Sequence, residues 1–286
     1  MNKIKQVVTP KTRKEQCKLL LGTRFRTIIS IGLLNILFFL PFIAINIVKV
    51  NYLSSLVSSM QAVEAATNEI LFMYRNWYLL FDAVQIVSIM IISIGLAGSM
   101  KIIKTLCYDE PVLFWENFKT GVKENWKNYL LVSLFFSITL IIVNFTNNSS
   151  RLMETKMMSM ISWGVLGIFI FILSPVLLVA LSMDATYKNK LGNSLTASAS
   201  MLMRHYFGYI FMPGVMLVVY IGLYFMNFAL SPYIIGAISL LFILYLLPIF
   251  MLLGYEYCLF LFDKYINSNY PELYKRGLDN KEESNS

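Results

Sequence analysis

Few side chains in this sequence could do chemistry, and three groups of them stand apart. The first is a basic and aromatic row. Trp115, Phe118, Val122 and Trp126 recur at steps of three, four and four, and Lys119, Lys123 and Lys127 follow a parallel row at steps of four. On a helix the first set makes one apolar stripe, while the lysine stems can lie along lipid with their ammonium groups reaching phosphates. Segment 111–128 is therefore expected to be an interfacial helix on the inner leaflet, and a contact surface for lipid or a partner. The second group is a single carboxylate, Glu256, set in LLGYEYCLF. An ionisable group among such neighbours is costly in a bilayer and is a functional pointer by default, although a rise of about 36 Å from Pro232 places it near the inner interface, where a neighbouring helix or water can satisfy it. The third is a scatter of polar side chains inside long apolar runs. Asn46 and Asn227, with Glu256, are the candidates for lining a pathway. Asn35, Ser88, Ser93, Ser133, Ser137 and Ser174 read as groups that hydrogen-bond between helices.

Much chemistry is excluded. One His and three scattered cysteines, Cys17, Cys107 and Cys258, lack the spacing of zinc, haem or iron-sulfur ligands. The Met153, Met157, Met158 and Met160 run has no second ligand cluster and reads as packing. There is no phosphate-binding Gly-Lys loop, no His-Glu-x-x-His, no Gly-x-Ser-x-Gly and no acidic cluster for a divalent metal. Catalytic residues, metal ligands and cofactors are thus not expected, and the chain reads as a non-enzyme.

The elements that must position these groups are membrane helices. The 286 residues are 57% hydrophobic and only 14% charged, and the mean hydropathy is +0.64, far from the quarter charged that is usual in soluble domains. A hydrocarbon core about 30 Å thick takes roughly 20 apolar residues at about 1.5 Å each. Six such blocks occur, at 27–48, 79–103, 129–145, 160–183, 209–230 and 232–262. The last is long enough to tilt, kink at Pro248 or run on past the bilayer. These blocks are apolar all round rather than alternating, which excludes a β-barrel. The expected fold is an all-α polytopic bundle of six spans, with a basic arm at 1–26 and a polar tail at 263–286.

Orientation follows from the 24 basic residues, of which only Lys49, Arg75, Arg151 and Lys156 fall on one side and the other 20 on the opposite side. This positive-inside signal predicts both termini in the cytoplasm. A net charge of +8 then reflects a basic inner face that attracts anionic headgroups, not a nucleic-acid ligand. The first block has no small-x-small cleavage site after it and should stay as an anchor. Trp77 and Trp163 fall near outer ends, and Trp115 and Trp126 near inner ends, as interfacial rings do.

Between the spans, 51–76 has near-helical apolar spacing and is expected to extend the flanking helices or cap the outer face. Asn193 is a plausible N-cap for a second interfacial helix over 193–204. Asn125, Trp126 and Tyr129 match His205, Tyr206 and Tyr209, a weak internal duplication. Asp82 and Asp184 fall at span ends. Gly95 and Gly98 with Ala97, and Gly164 and Gly167, are patches for close helix approach. Pro41, Pro175, Pro213 and Pro248 interrupt four spans.

The stretch GLAGSMKIIKTLCYDEPVLFWENFKTGVKENWKNYLL, 95–131, resembles the cytoplasmic connection of the YesL-like family of bacterial membrane proteins, and LLGYEYCLFLFDKYINSNYPELYKRGL, 252–278, is similar to its tail. The resemblance spans roughly 25–278 and is most specific over 114–127, while the long outer loop 51–76 departs from the family's short first hairpin. It implies a multi-pass protein of the bacterial plasma membrane, often encoded beside carbohydrate transporter and two-component genes. It implies no reaction and carries over no site residue. Together these readings favour an accessory component of a membrane transport or sensing complex, its partner a permease or sensor kinase, with an autonomous transporter or channel, eased by homo-oligomerisation, as the alternative.

Overall fold

Apolar runs of this length cannot leave backbone groups unpaired in lipid, so they fold as helices. The computed structural model describes residues 10–62, 67–153, 156–187, 189–209, 231–270 and 272–278, and no strand occurs among them. Helix α1 (Arg13–Thr23) leads into α2 (Phe25–Ala62), α3 (Thr67–Cys107) and α4 (Phe114–Met153). Then come α5 (Lys156–Ile168) and α6 (Ser174–Tyr187), joined by a π turn at Phe169–Leu173, followed by α7 (Leu191–Tyr209). After residues 210–230 the chain resumes as α8 (Pro232–Leu241), a π turn at Phe242–Leu246 and α9 (Leu247–Tyr265).

Five helical stretches are long and apolar enough to cross a membrane: Phe25–Gln61, Glu69–Cys107, Phe114–Thr146, Met157–Tyr187 and Tyr233–Tyr265. The protein is a membrane helical protein. The expected span at 209–230, with Asn227 and Pro213, lies outside the described residues apart from Tyr209. Segment 51–76 extends α2 and α3, as its spacing predicts, although 63–66 are not described.

Three expectations change. The arm at 1–26 is not simply a charged tail, because α1 buries Arg13, Gln16, Cys17 and Leu20. Its start is fixed by Thr12, whose Oγ1 accepts from Glu15 N, while Glu15 accepts from Lys11 N, a capping arrangement. Segment 114–128 is not a separate interfacial helix but the first turns of α4. Thirty-three residues rise about 50 Å, more than the hydrocarbon core needs, so one end of this span projects beyond it. Finally, α7 starts at Leu191, which puts Asn193 inside the first turn rather than at the cap.

The α3–α4 connection is short because α3 ends abruptly. Glu110 N bonds Thr105 O and Asp109 N bonds Leu106 O, with Asp109 left-handed at φ 52°, and Pro111 prevents continuation. The helices α3 and α4 then run side by side. Gly98 accepts the Phe118 ring, and a Cβ on Gly121 would crowd Lys101 and the Ala97 carbonyl. Two expected proline breaks are π turns rather than unwound segments. Pro175 and Pro248 each follow a π turn by two residues, since a proline lacks the N–H that would bond the carbonyl four residues back. Pro41 sits inside a continuous α2. The centre of the bundle is α9, whose Leu252, Tyr255, Cys258, Leu259, Leu261 and Phe262 are fully buried.

Candidate functional site

The end of the bundle that carries most basic residues is closed by a buried polar knot. Burying a charge demands a partner, and Arg13 finds several. Its Nε and Nη2 both donate to Asp263 Oδ2, at 3.0 and 2.8 Å, and its Nη1 donates to Gln16 Oε1 at 2.8 Å and to the Arg276 carbonyl at 3.0 Å. Asp263 Oδ1 in turn accepts from Asn267 Nδ2 at 2.8 Å and from Lys275 N at 3.2 Å. Gln16 Nε2 donates to the carbonyls of Cys107 and Gly277. Gly277, at φ 85°, lies so near the Cys107 carbonyl that a Cβ would overlap it. The knot thus ties α1, the end of α3, the end of α9 and the tail into one unit.

Glu256 sits just inside this knot and is 4% exposed. No nitrogen or oxygen donor among the described residues bonds either carboxylate oxygen, and the donor that faces it is the Cys107 thiol. Its electrostatic neighbours are the thiols of Cys17 and Cys107 and the guanidinium of Arg13. For Cys17, burial first and the Glu256 charge second push the thiol up to about 11.

Asp184, near the end of α6, forms a second node. Asn128 Nδ2 donates to its Oδ2 at 2.7 Å and Ser194 Oγ to its Oδ1 at 2.6 Å, so it links α4, α6 and α7.

The basic and aromatic row divides between two faces of α4. Phe118 is 8% exposed, against 62% for Trp115 and 41% for Trp126. The buried face is instead Phe118, Gly121, Asn125 and Tyr129, again at steps of three and four, with Phe118 and Gly121 packed on α3. The single stripe read from the aromatics is therefore corrected, since Trp115 and Trp126 lie off the buried face. Lys119, Lys123 and Lys127 are exposed. A cross-helix ion pair beside them, Lys101 Nζ to Glu124 Oε2 at 2.9 Å, fixes α4 against α3.

At the opposite end, Asn46 accepts from Gln85 Nε2 at 2.7 Å, one helical turn from a buried ion pair that sequence reading missed. Lys49 Nζ lies 2.6 Å from Asp82 Oδ1, and Asn144 Nδ2 donates to Asp82 Oδ2 at 2.8 Å. The Lys49 ammonium also sits over the Tyr78 ring, 3.3 Å from its centroid. The signal available in the sequence was the presence of both charges within long helices, but their pairing depends on the register of α2 against α3. Asn46 and Glu256 belong to different ends of the bundle and do not meet, and Asn227 lies outside the described residues.

Among the described residues no group of three or more His, Cys, Asp or Glu side chains could hold a metal ion. No protein-family model matches the chain, and no curated protein or solved structure does either.

Proposed function

We propose that the protein is a non-enzymatic accessory component of a transport or sensing complex in the bacterial plasma membrane, with both termini cytoplasmic. One observation carries this reading. The first turns of α4 present exposed Lys119, Lys123 and Lys127 beside exposed Trp115 and Trp126, while the other face is locked to α3 through Phe118 and Gly121. A basic, aromatic rim held on a rigid helix suits recognition of an acidic partner surface at the membrane. The resemblance to the YesL-like family points to a permease or sensor kinase as that partner.

Crosslinking in native membranes, followed by mass spectrometry of attached proteins, identifies the partner. Replacing Lys119, Lys123 and Lys127 with Glu should then reduce its recovery while the chain still inserts. Unchanged recovery overturns the reading.

The second reading, an autonomous transporter or channel, is favoured by the buried carboxylate of Glu256, which the Cys107 thiol faces and no nitrogen or oxygen donor among the described residues bonds, because buried ionisable groups mark ion and proton pathways. Solute or proton flux into liposomes holding only this protein tests it, with Glu256→Gln as the control. No flux under any gradient removes it.

A further inference from the structure

The turn between α1 and α2 lies next to the start of α4, and an open groove of about 630 Å³ runs between them. Its upper end is polar, formed by Arg24, Arg26 and Thr27, and its floor continues down one face of α2 as Leu33 and Leu37, with Trp115 as a side wall. Leu33 and Leu37 are 55% and 62% exposed. Arg24 has only a 4.0 Å contact with the exposed Asp109, a pairing in water that contributes little. Arg26 is exposed and forms no ion pair among the described residues.

We propose that this groove is a binding site for one anionic diacyl phospholipid, with its phosphate between Arg24 and Arg26 and an acyl chain along Leu33 and Leu37. Charge complementarity selects the head: two guanidiniums with donors to spare, beside the Thr27 hydroxyl, match phosphate oxygens. Depth selects the tail. From Arg26 to Leu37 the helix rises about 16 Å, roughly half of a hydrocarbon core about 30 Å thick, so the groove spans one leaflet from headgroup level to midplane. A soluble phosphate would use the arginines but leave the leucine lane unfilled. Trp115 stands at the level where an indole is favoured between headgroup and chain. The site shares Trp115 with the α4 rim, but its head and tail contacts come from Arg24, Arg26, Leu33 and Leu37, so it stands whether or not that rim meets a protein partner.

The test uses the full chain purified in detergent. Native mass spectrometry with added phosphatidylglycerol or phosphatidylcholine should show the anionic lipid retained at least tenfold more tightly, the scale expected for two basic groups at a membrane surface. Arg24→Gln with Arg26→Gln should bring phosphatidylglycerol down to the phosphatidylcholine level while leaving phosphatidylcholine binding as it was. Millimolar inorganic phosphate should not displace the lipid. A second measurement needs no arginine variant: phosphatidylglycerol brominated on its chains should quench tryptophan emission by an amount that Trp115→Phe removes. Equal retention of both lipids, an undiminished preference in the double variant, displacement by free phosphate, or quenching that Trp115→Phe leaves undiminished would each overturn the proposal.

Discussion

Arg13 and Asp263 are 250 residues apart in the chain, yet two nitrogens of one guanidinium converge on a single carboxylate oxygen of the other at 3.0 and 2.8 Å. Both side chains are nearly buried, at 8% and 11% exposure. The pair joins the first described helix to the last, so it closes the bundle at its basic end. Removing one partner leaves the other charge buried and unpaired, at a cost of about 3 to 5 kcal/mol. Arg13→Ala and Asp263→Ala are each expected to lower the thermal midpoint in detergent and to open α1 to protease. Combining Arg13→Met with Asp263→Leu should restore much of the loss, since an apolar pair of similar volume substitutes well for a buried ion pair. A double variant as weak as the single ones would assign the loss to Gln16 and the tail contacts instead.

Cys17 reports on the same closure. Its thiol is held up at about 11, compared with 9.0 for an ordinary thiol, so below both values its thiolate fraction is about a hundredfold smaller. Between 9 and 11 the unfolded chain holds fewer protons than the folded one, and this group therefore makes stability fall as pH rises through that window. Maleimide labelling of Cys17 at pH 8, read by peptide mapping, is expected to be slow in the intact protein. It should approach the rate of an exposed thiol in Arg13→Ala, where α1 detaches. Fast labelling of the intact protein would mean that α1 is open without any substitution.

The helices were legible because lipid permits little else. Long apolar blocks bounded by charge mark where α2, α3 and α9 run, and Gly95 and Gly98 advertise a close contact that the rings of Phe38 and Phe118 fill. Gly164 and Gly167 carry the same signal but have nothing within 4 Å among the described residues, so small residues mark where an approach is permitted rather than which helix makes it. Helix α1 was hidden by its lysines, although Arg13, Gln16, Cys17 and Leu20 follow the steps of one helical face. The exposed Trp115 and Trp126 drew the eye to the wrong face of α4, since aromatic rings in a membrane protein are placed by the interface as well as by the core. The Lys49–Asp82 and Arg13–Asp263 pairs were not readable at all, because each depends on a helix register that local patterns do not encode.

Gly32 and the π turn at Phe242–Leu246 make a prediction about backbone contact. Pro248 lacks the N–H that would bond the Leu244 carbonyl in a regular helix, and that carbonyl lies where a Cβ on Gly32 would be. Backbone cannot swing aside as a side chain can. Gly32→Ala should therefore push α2 from the π turn and destabilise by about 1 to 3 kcal/mol, the usual range for overpacking. Gly164→Ala, with nothing within 4 Å of the new Cβ among the described residues, should be neutral or slightly stabilising because alanine is the better helix former. Thermal unfolding of the two variants in one detergent makes the comparison. Equal midpoints would show that α2 and the π turn can separate freely.

Lys49 and Asp82 hold the other end together, and their environment decides what each substitution does. Asp82 is shared by Lys49 and Asn144, so its carboxylate staples α2, α3 and α4 at once. Lys49→Met leaves that carboxylate with one neutral donor in an almost fully buried place, and a loss of about 3 to 5 kcal/mol is expected. Asp82→Asn is expected to cost less than Asp82→Ala, because the amide oxygen can still accept from Asn144. It should cost more than Lys49→Met with Asp82→Leu, in which no charge remains to be paired. The Tyr78 ring under the ammonium adds a further check. Tyr78→Leu removes a cation–π contact of about 0.5 to 2 kcal/mol only while Lys49 is present, so a double-mutant cycle on thermal stability should give a coupling of that size. Full additivity of Tyr78→Leu and Lys49→Met would mean that the ring supports α3 by packing alone and that Asp82 is the sole partner holding the ammonium in place.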